Sequence, residues 1–296
     1  MKRLRDHYRA LLLDLDGTLY RGHEVIDGAP EAVSTVGDTT QRVVYVTNNA
    51  SRGPGVVASH LTELGFAATT DDVVTSAQAA ARLLAERLDQ GAQVLVVGTD
   101  DLAAEVDAVG LRSIRRFDGT MPAAVVQGHS PLTAWPDLAE AAYALRSDAL
   151  WVAANTDKTL PNERGLAPGN GAMVAALCAA SDRRPIVAGK PYAPLLEDAL
   201  VRANSRSALV VGDRLDTDIE GASRVGLDAL LVLTGVSTLE ELRTAPDEQL
   251  PTYVSRSLQA LNHAPVAAEP DVDLGEMLRR NPGRAVRVRA SSSAIR

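Results

Sequence analysis

Short apolar, β-branched segments alternate with alanine-rich helical stretches along most of this chain, and that alternation restricts the fold more than any other feature. The pattern predicts strands at 10–13, 42–46, 94–97, 123–127, 150–153, 207–211 and 229–233. Helices are predicted at 29–36, 55–64, 76–88, 137–146, 173–180, 192–203 and 218–225. Strands separated by helices fold as a parallel sheet covered on both faces. With aromatics at 3% of 296 residues, the core must be built from Ala, Val and Leu. No internal repeat interrupts the pattern.

The run Ala10-Leu11-Leu12-Leu13 ends in Asp14-Leu15-Asp16-Gly17-Thr18. Two carboxylates one residue apart, at the end of a buried strand, are not packing residues, because buried acids need a partner or a metal. They point to a divalent cation and a reactive carboxylate at the carboxyl edge of the sheet, where α/β folds bind ligands. Asp-Gly-Thr alone is also an ordinary turn signal. Further strand ends tip the balance.

The strand at 42–46 runs into Thr47-Asn48-Asn49-Ala50-Ser51-Arg52, whose hydroxyl and amides suit a phosphate oxygen or a helix cap. Lys190 sits in Ala188-Gly189-Lys190-Pro191, a tight loop before a helix; it reads either as a point charge for phosphate or as a solvated lysine. The strand at 207–211 ends in Gly212-Asp213-Arg214-Leu215-Asp216-Thr217-Asp218. Asp218 fits a helix start, but three clustered acids exceed what capping needs and call for a cation or donors. Taken together, these strand ends make a cation site and a phosphate cradle on one sheet edge.

The net charge of −8 argues against a nucleic-acid binder and leaves attraction of an anionic substrate to local cations. The single cysteine, Cys178, excludes an intrachain disulfide and reads as a small buried hydrophobe. No apolar run approaches the ~18 residues of a membrane span. Asp14 interrupts the apolar run near the basic N-terminus, which makes a poor signal peptide. The expectation is a cytoplasmic protein that contacts neither membrane nor nucleic acid.

The ordered set Asp14-Leu15-Asp16-Gly17-Thr18, Thr47, Lys190, and Gly212-Asp213 with Asp218 resembles the haloacid-dehalogenase-like phosphatase superfamily over about residues 8–260. Val46-Thr47-Asn48-Asn49-Ala50-Ser51-Arg52, Ala154-Asn155-Thr156-Asp157 with Pro161, Pro168-Gly169-Asn170-Gly171 and Gly189-Lys190-Pro191 are similar to its 4-nitrophenylphosphatase and phosphoglycolate phosphatase branch. Arg164-Gly165-Leu166 and Val211 to Asp218 are similar to the actinobacterial glycerol 3-phosphate phosphatases of that branch. Many members of the branch carry an acid in the cap where this chain reads Gln127-Gly128-His129-Ser130, and His129 reads as a loop residue rather than a catalyst.

The resemblance implies a Rossmann-like α/β core at 1–78 and 184–261 with an inserted α/β cap at 79–183. A loosely ordered extension is expected at 262–296, where six arginines fall between Arg279 and Arg296. It implies a Mg²⁺-dependent hydrolase of phosphomonoesters, with glycerol 3-phosphate as substrate and a role in glycerolipid metabolism. Asp14 is the implied nucleophile and Asp16 the acid and base. Asp14, Asp213 and the Asp16 backbone carbonyl are the implied metal ligands. Thr47, Asn48 and Lys190 hold the phosphate, with Gly17, Thr18 and Asp218 in support. Asn155, Asp157, Gly169 and Asn170 contact the leaving group from the cap. A homodimer through the cap is the expected assembly. 2-Phosphoglycolate and nucleoside monophosphates are the alternative substrates. A phospho-accepting signalling domain and a metal-free dehalogenase are the alternatives of other classes.

Overall fold

A computed structural model describes residues 1–34, 40–162 and 164–288. Part of the predicted helix at 29–36 and the arginines Arg289 and Arg296 lie outside these residues. The first strands are β1 (Ala10–Leu13), the hairpin pair β2 (Tyr20–Arg21) and β3 (Glu24–Val25), β4 (Arg42–Thr47) and β5 (Val73–Thr75). Then come β6 (Gln93–Val97), β7 (Arg112–Ile114), β8 (Ala124–Gln127), β9 (Leu150–Ala153), the pair β10 (Thr159–Asn162) and β11 (Gly165–Pro168), and β12 (Ile186–Val187). The last are β13 (Ala208–Gly212), β14 (Asp228–Val232), β15 (Tyr253–Ser255), β16 (Val266–Ala267) and β17 (Val286–Arg287).

The chain divides into two compact units. One comprises residues 1–46, 58–73 and 196–296; the other comprises 47–57 and 74–195. The first is organised by an eight-stranded sheet in the order β16-β17-β15-β14-β13-β1-β4-β5. β1 lies centrally, parallel to both β13 and β4, with Leu13 opposite Val211 and Tyr45. All four β1 residues are fully buried, as expected of a strand covered on both faces. This parallel arrangement brings the carboxyl ends of β1, β13 and β14 to one edge.

The second unit has its own parallel sheet, β12-β9-β8-β6-β7. One face packs Leu95, Val97, Val125, Trp151 and Ala153 against Ala141, Ala144 and Leu145 of the helix Trp135–Arg146 and Val174 and Leu177 of the helix Asn170–Ser181. Cys178 is a free thiol, half-buried against this cluster. Both tryptophans belong to this unit: Trp151 is 3% exposed and Trp135 is 76% exposed.

Two expectations about organisation change. The insert does not close at residue 183, because β12 pairs with β9, Ile186 opposite Val152 and Val187 opposite Ala153. The chain therefore stays with the second unit through Leu195. The C-terminal segment is not a loose extension as far as residue 288. β17 pairs antiparallel with β15 and parallel with β16, and Leu274, Met277, Leu278, Ala285, Val286 and Val288 are buried. These apolar side chains, spaced along the helix Leu274–Arg280 and the strand after it, supply the burial that orders the segment. Among the described residues, no helix is long and apolar enough to cross a membrane.

Candidate active site

Asp14 follows β1 directly, and its amide donates to the Val211 carbonyl at 2.9 Å, fixing it at the sheet edge. Asp213 follows β13, and Asp218 lies in the π-helical turn Leu215–Ile219 that opens the next helix. Carboxylate oxygens of Asp14, Asp213 and Asp218 lie within 4.8 Å of one another. Among the described residues this is the only group of three His, Cys, Asp or Glu donors found to converge in this way. Asp213 and Asp218 are buried and Asp14 is half-buried. Three carboxylates at such separations repel one another, and their hard oxygens fit a Mg²⁺- or Ca²⁺-type cation.

The surroundings of Asp213 are built for a tight fit. Val236 donates its amide to Asp213 Oδ2 at 2.6 Å, and Ser237 donates to the Asp213 carbonyl at 3.1 Å. A Cβ on Gly17 or on Gly235 would collide with the Asp213 carboxylate. Gly17 also has φ +86°, a left-handed conformation natural to glycine. Its carbonyl accepts from Thr234 Oγ1 at 2.7 Å. Thr18, fully buried, donates its hydroxyl to Asp14 Oδ2 at 3.4 Å. Asp218 Oδ2 accepts from the Arg214 amide at 3.1 Å. The Leu215 amide donates to Ser237 Oγ at 3.1 Å, tying the turn to the loop after β14.

Asp16 keeps one open side to solvent, while protein packed around the rest of it raises its carboxyl above the ordinary aspartate range. Backbone amides of Gly22 and Gly17 act against that shift. A raised carboxyl suits an acid that must hold a proton before giving it up.

A separate constellation lies in the second unit. Thr47, the last residue of β4, accepts the Asn49 amide on Oγ1 at 3.0 Å. Lys190 is 2% exposed. Asn48, expected on a phosphate oxygen, has its amide engaged elsewhere: Oδ1 accepts from Lys190 N at 2.8 Å, and Nδ2 donates to Lys190 O at 3.0 Å.

The expected leaving-group contacts divide. Asn155 and Asn170 are 5% and 1% exposed and serve the backbone. Asn155 Nδ2 donates to the Asn48 carbonyl at 2.6 Å, and Asn170 Nδ2 to the Asn155 carbonyl at 2.7 Å. Gly169 is required by close packing, since a Cβ there would strike the Asp157 carbonyl. Asp157 is half-buried and presents its carboxylate to Asn48 Nδ2 at 3.3 Å. His129 is half-buried, and desolvation lowers its imidazole below the usual range.

Sequence reasoning placed Asp218 in support; its carboxylate instead stands with those of Asp14 and Asp213. The loop Thr234 to Ser237 was missed entirely. It carries no charge; it contributes backbone amides, a glycine and two hydroxyls, a composition shared with ordinary loops.

Residues 11–112 match a haloacid dehalogenase-like hydrolase family model, and residues 187–261 match a second, HAD-hydrolase-like model. The chain is 53% identical over 281 residues to the D-glycerol 3-phosphate phosphatase of Mycobacterium tuberculosis, covering 93% of this chain and 78% of that protein. The crystal structure of a glycerol phosphate phosphatase from M. tuberculosis in complex with magnesium superposes with a TM-score of 0.84 at 55% identity, over 88% of this chain and 79% of that one. A double-mutant thermostable NPPase from Geobacillus stearothermophilus matches with a TM-score of 0.78 at 34% identity, over 87% and 98% of the two chains.

Proposed function

Because the chain belongs to the haloacid dehalogenase-like hydrolases, we propose that it is a magnesium-dependent phosphomonoesterase whose substrate is glycerol 3-phosphate. The observation that carries this reading is the convergence of the carboxylates of Asp14, Asp213 and Asp218. The 53% identity to a D-glycerol 3-phosphate phosphatase supports the choice of substrate.

In this reading Asp14 attacks phosphorus through a carboxylate oxygen, forming an aspartyl-phosphate as the bond to the leaving alkoxide breaks. Asp16 gives that alkoxide its proton and glycerol departs. The Asp16 carboxylate then takes a proton from water, whose oxygen attacks the phosphorus and frees Asp14 and inorganic phosphate. Asp14, Asp213 and Asp218 with the Asp16 carbonyl would hold Mg²⁺, which would supply positive charge between nucleophile and substrate. Lys190 and the Thr47 hydroxyl bind the transferring oxygens, and the lysine gains strength as charge spreads over them. An acid and base at residue 16, two positions from the nucleophile, favours hydrolysis over a lasting phospho-aspartate, which sets this reading against a signalling acceptor.

The test is phosphate release from a panel of phosphomonoesters with magnesium, ranked by kcat/KM. Glycerol 3-phosphate is expected at the head of the ranking. A ranking led by 2-phosphoglycolate or a nucleoside monophosphate would replace the substrate but leave the chemistry in place. No release from any ester would remove the enzyme reading.

A further inference from the structure

Asn48 stands one residue beyond β4, and its side-chain amide meets both main-chain polar groups of a single residue 142 positions away. Oδ1 accepts from the Lys190 amide at 2.8 Å, and Nδ2 donates to the Lys190 carbonyl at 3.0 Å. The same Nδ2 lies 3.3 Å from an Asp157 carboxylate oxygen. The main chain of Asn48 is fixed in turn: its carbonyl accepts Ser76 Oγ at 2.5 Å and Asn155 Nδ2 at 2.6 Å. Gly189, just before the lysine, is packed so closely that a Cβ would lie 2.6 Å from Asn48 Oδ1 and 2.7 Å from the Ala154 carbonyl.

This arrangement has a chemical logic. A lysine side chain carries much rotamer freedom, and a loop adds backbone freedom to it. Pinning the amide and the carbonyl of one residue removes the backbone share and gives the ammonium a fixed origin. Only a carboxamide supplies an acceptor and a donor side by side for this purpose. The Nδ2 shared with Asp157 links that fixed point to a cap residue expected to face the leaving group.

We propose that Asn48 is a positioning residue for Lys190 rather than a phosphate ligand, and that it couples the Asp157 loop to the phosphate cradle. The inference rests on the phosphatase reading above, in which Lys190 stabilises the transferring oxygens. A ligand acting on phosphate directly and a residue acting through lysine differ in one measurable respect: the second has no effect once the lysine is gone.

The experiment is a double-mutant cycle on the full chain with Asn48→Ala, Lys190→Ala and the pair. Asn48→Ala alone is expected to lower kcat by about 100-fold, the scale of a small misplacement of a catalytic group, with KM changed by less than about threefold. In the Lys190→Ala background the same substitution is expected to lower kcat by less than about threefold. Penalties that multiply would overturn the inference, as would an Asn48→Ala enzyme of wild-type kcat. Should Asn48→Ala lose its cooperative melt, Asn48→Ser takes its place, because it keeps a neutral polar group but one hydroxyl cannot replace both atoms of the amide. The same proteins are also compared by the rise in melting temperature that inorganic phosphate gives with magnesium, which requires no turnover. Wild type that binds phosphate without turning over any ester would sink the phosphatase reading alone, and the cycle would then be read from binding. Wild type that neither turns over nor binds phosphate overturns both.

Discussion

Gly235 and the Asp213 carboxylate occupy touching volumes: no side chain fits at 235 while Asp213 keeps its place, and the next residue, Val236, donates its amide to that carboxylate at 2.6 Å. The loop after β14 therefore acts as a mould for the carboxylate that the phosphatase reading assigns to the metal. Gly235→Ala is expected to raise the magnesium concentration for half-maximal activity by about 10- to 100-fold, the usual cost of disturbing a residue that orients a ligand. A magnesium titration of phosphate release checks this, and isothermal calorimetry separates loss of metal from loss of turnover. A variant with unchanged magnesium demand would show that the loop plays no part in holding the ion.

Asp14→Asn removes the attacking carboxylate at nearly constant volume. Its kcat is expected to fall at least about 1,000-fold, as for other enzymes stripped of a nucleophile. Asp16→Asn leaves the nucleophile but removes the acid and base. The expected signature is radiolabel retained on protein after rapid quenching, because attack by water is slowed more than formation of the phosphoenzyme from an activated aryl ester. Equal retention by wild type and Asp16→Asn would take the general base away from residue 16.

Magnesium should also stabilise the folded protein, since the clustered carboxylates of Asp14, Asp213 and Asp218 repel one another without it. At 100 times its dissociation constant the ion adds about 2.7 kcal/mol by mass action. The melting temperature is expected to rise with magnesium and to fall back with EDTA. In Asp213→Asn the rise should be largely lost. A variant that keeps the full shift would place the ion elsewhere.

The half-buried His129 is held below the ordinary histidine range by desolvation, so the unfolded chain binds its proton more readily than the folded one. Its contribution to stability is complete above the unfolded value of about 6.5 and declines as pH drops through that value toward the lower folded one. Urea unfolding of wild type should therefore show a midpoint that drops below pH 6.5 more steeply than that of His129→Gln. Parallel profiles would mean the imidazole is as well solvated folded as unfolded.

The C-terminal segment offers a stability test. Leu278 is 1% exposed on the helix Leu274–Arg280. Leu278→Ala should cost about 2–5 kcal/mol, the range for a buried leucine. Chemical denaturation measures it, and a cost under about 0.5 kcal/mol, that of a surface change, would return the segment to the status of a loose tail.

The core strands were legible because buried parallel strands are written as short apolar runs, and Ala10–Leu13 and Leu150–Ala153 are found with the predicted bounds. The acids at their ends were legible because charge at such a position has few structural uses. Three-residue strands such as β5 and β7 escaped, since periodicity needs more residues than they contain. The helix Asp100–Ala108 escaped as well; among its residues only Leu102 and Val106 are buried. The place of Asp218 beside Asp14 depends on a π-helical turn that re-aims the side chain, and no spacing rule reports such a turn. The side-chain partners of Asn48 were hidden for a related reason: they are set by a loop that only tertiary structure brings near. The carbonyls that Asn155 and Asn170 satisfy were hidden likewise, because residue type alone does not report which buried groups a side chain serves.

The distribution of indole rings has a practical outcome. With Trp135 and Trp151 both in the unit formed by 47–57 and 74–195, selectively excited tryptophan emission reports on that unit. A fluorescence melt will follow the Trp151 surroundings alone, whereas far-ultraviolet dichroism averages over both sheets. Coincident midpoints would mean that the halves come apart as one cooperative block, and a gap between them would reveal a partly folded species in which one half outlasts the other.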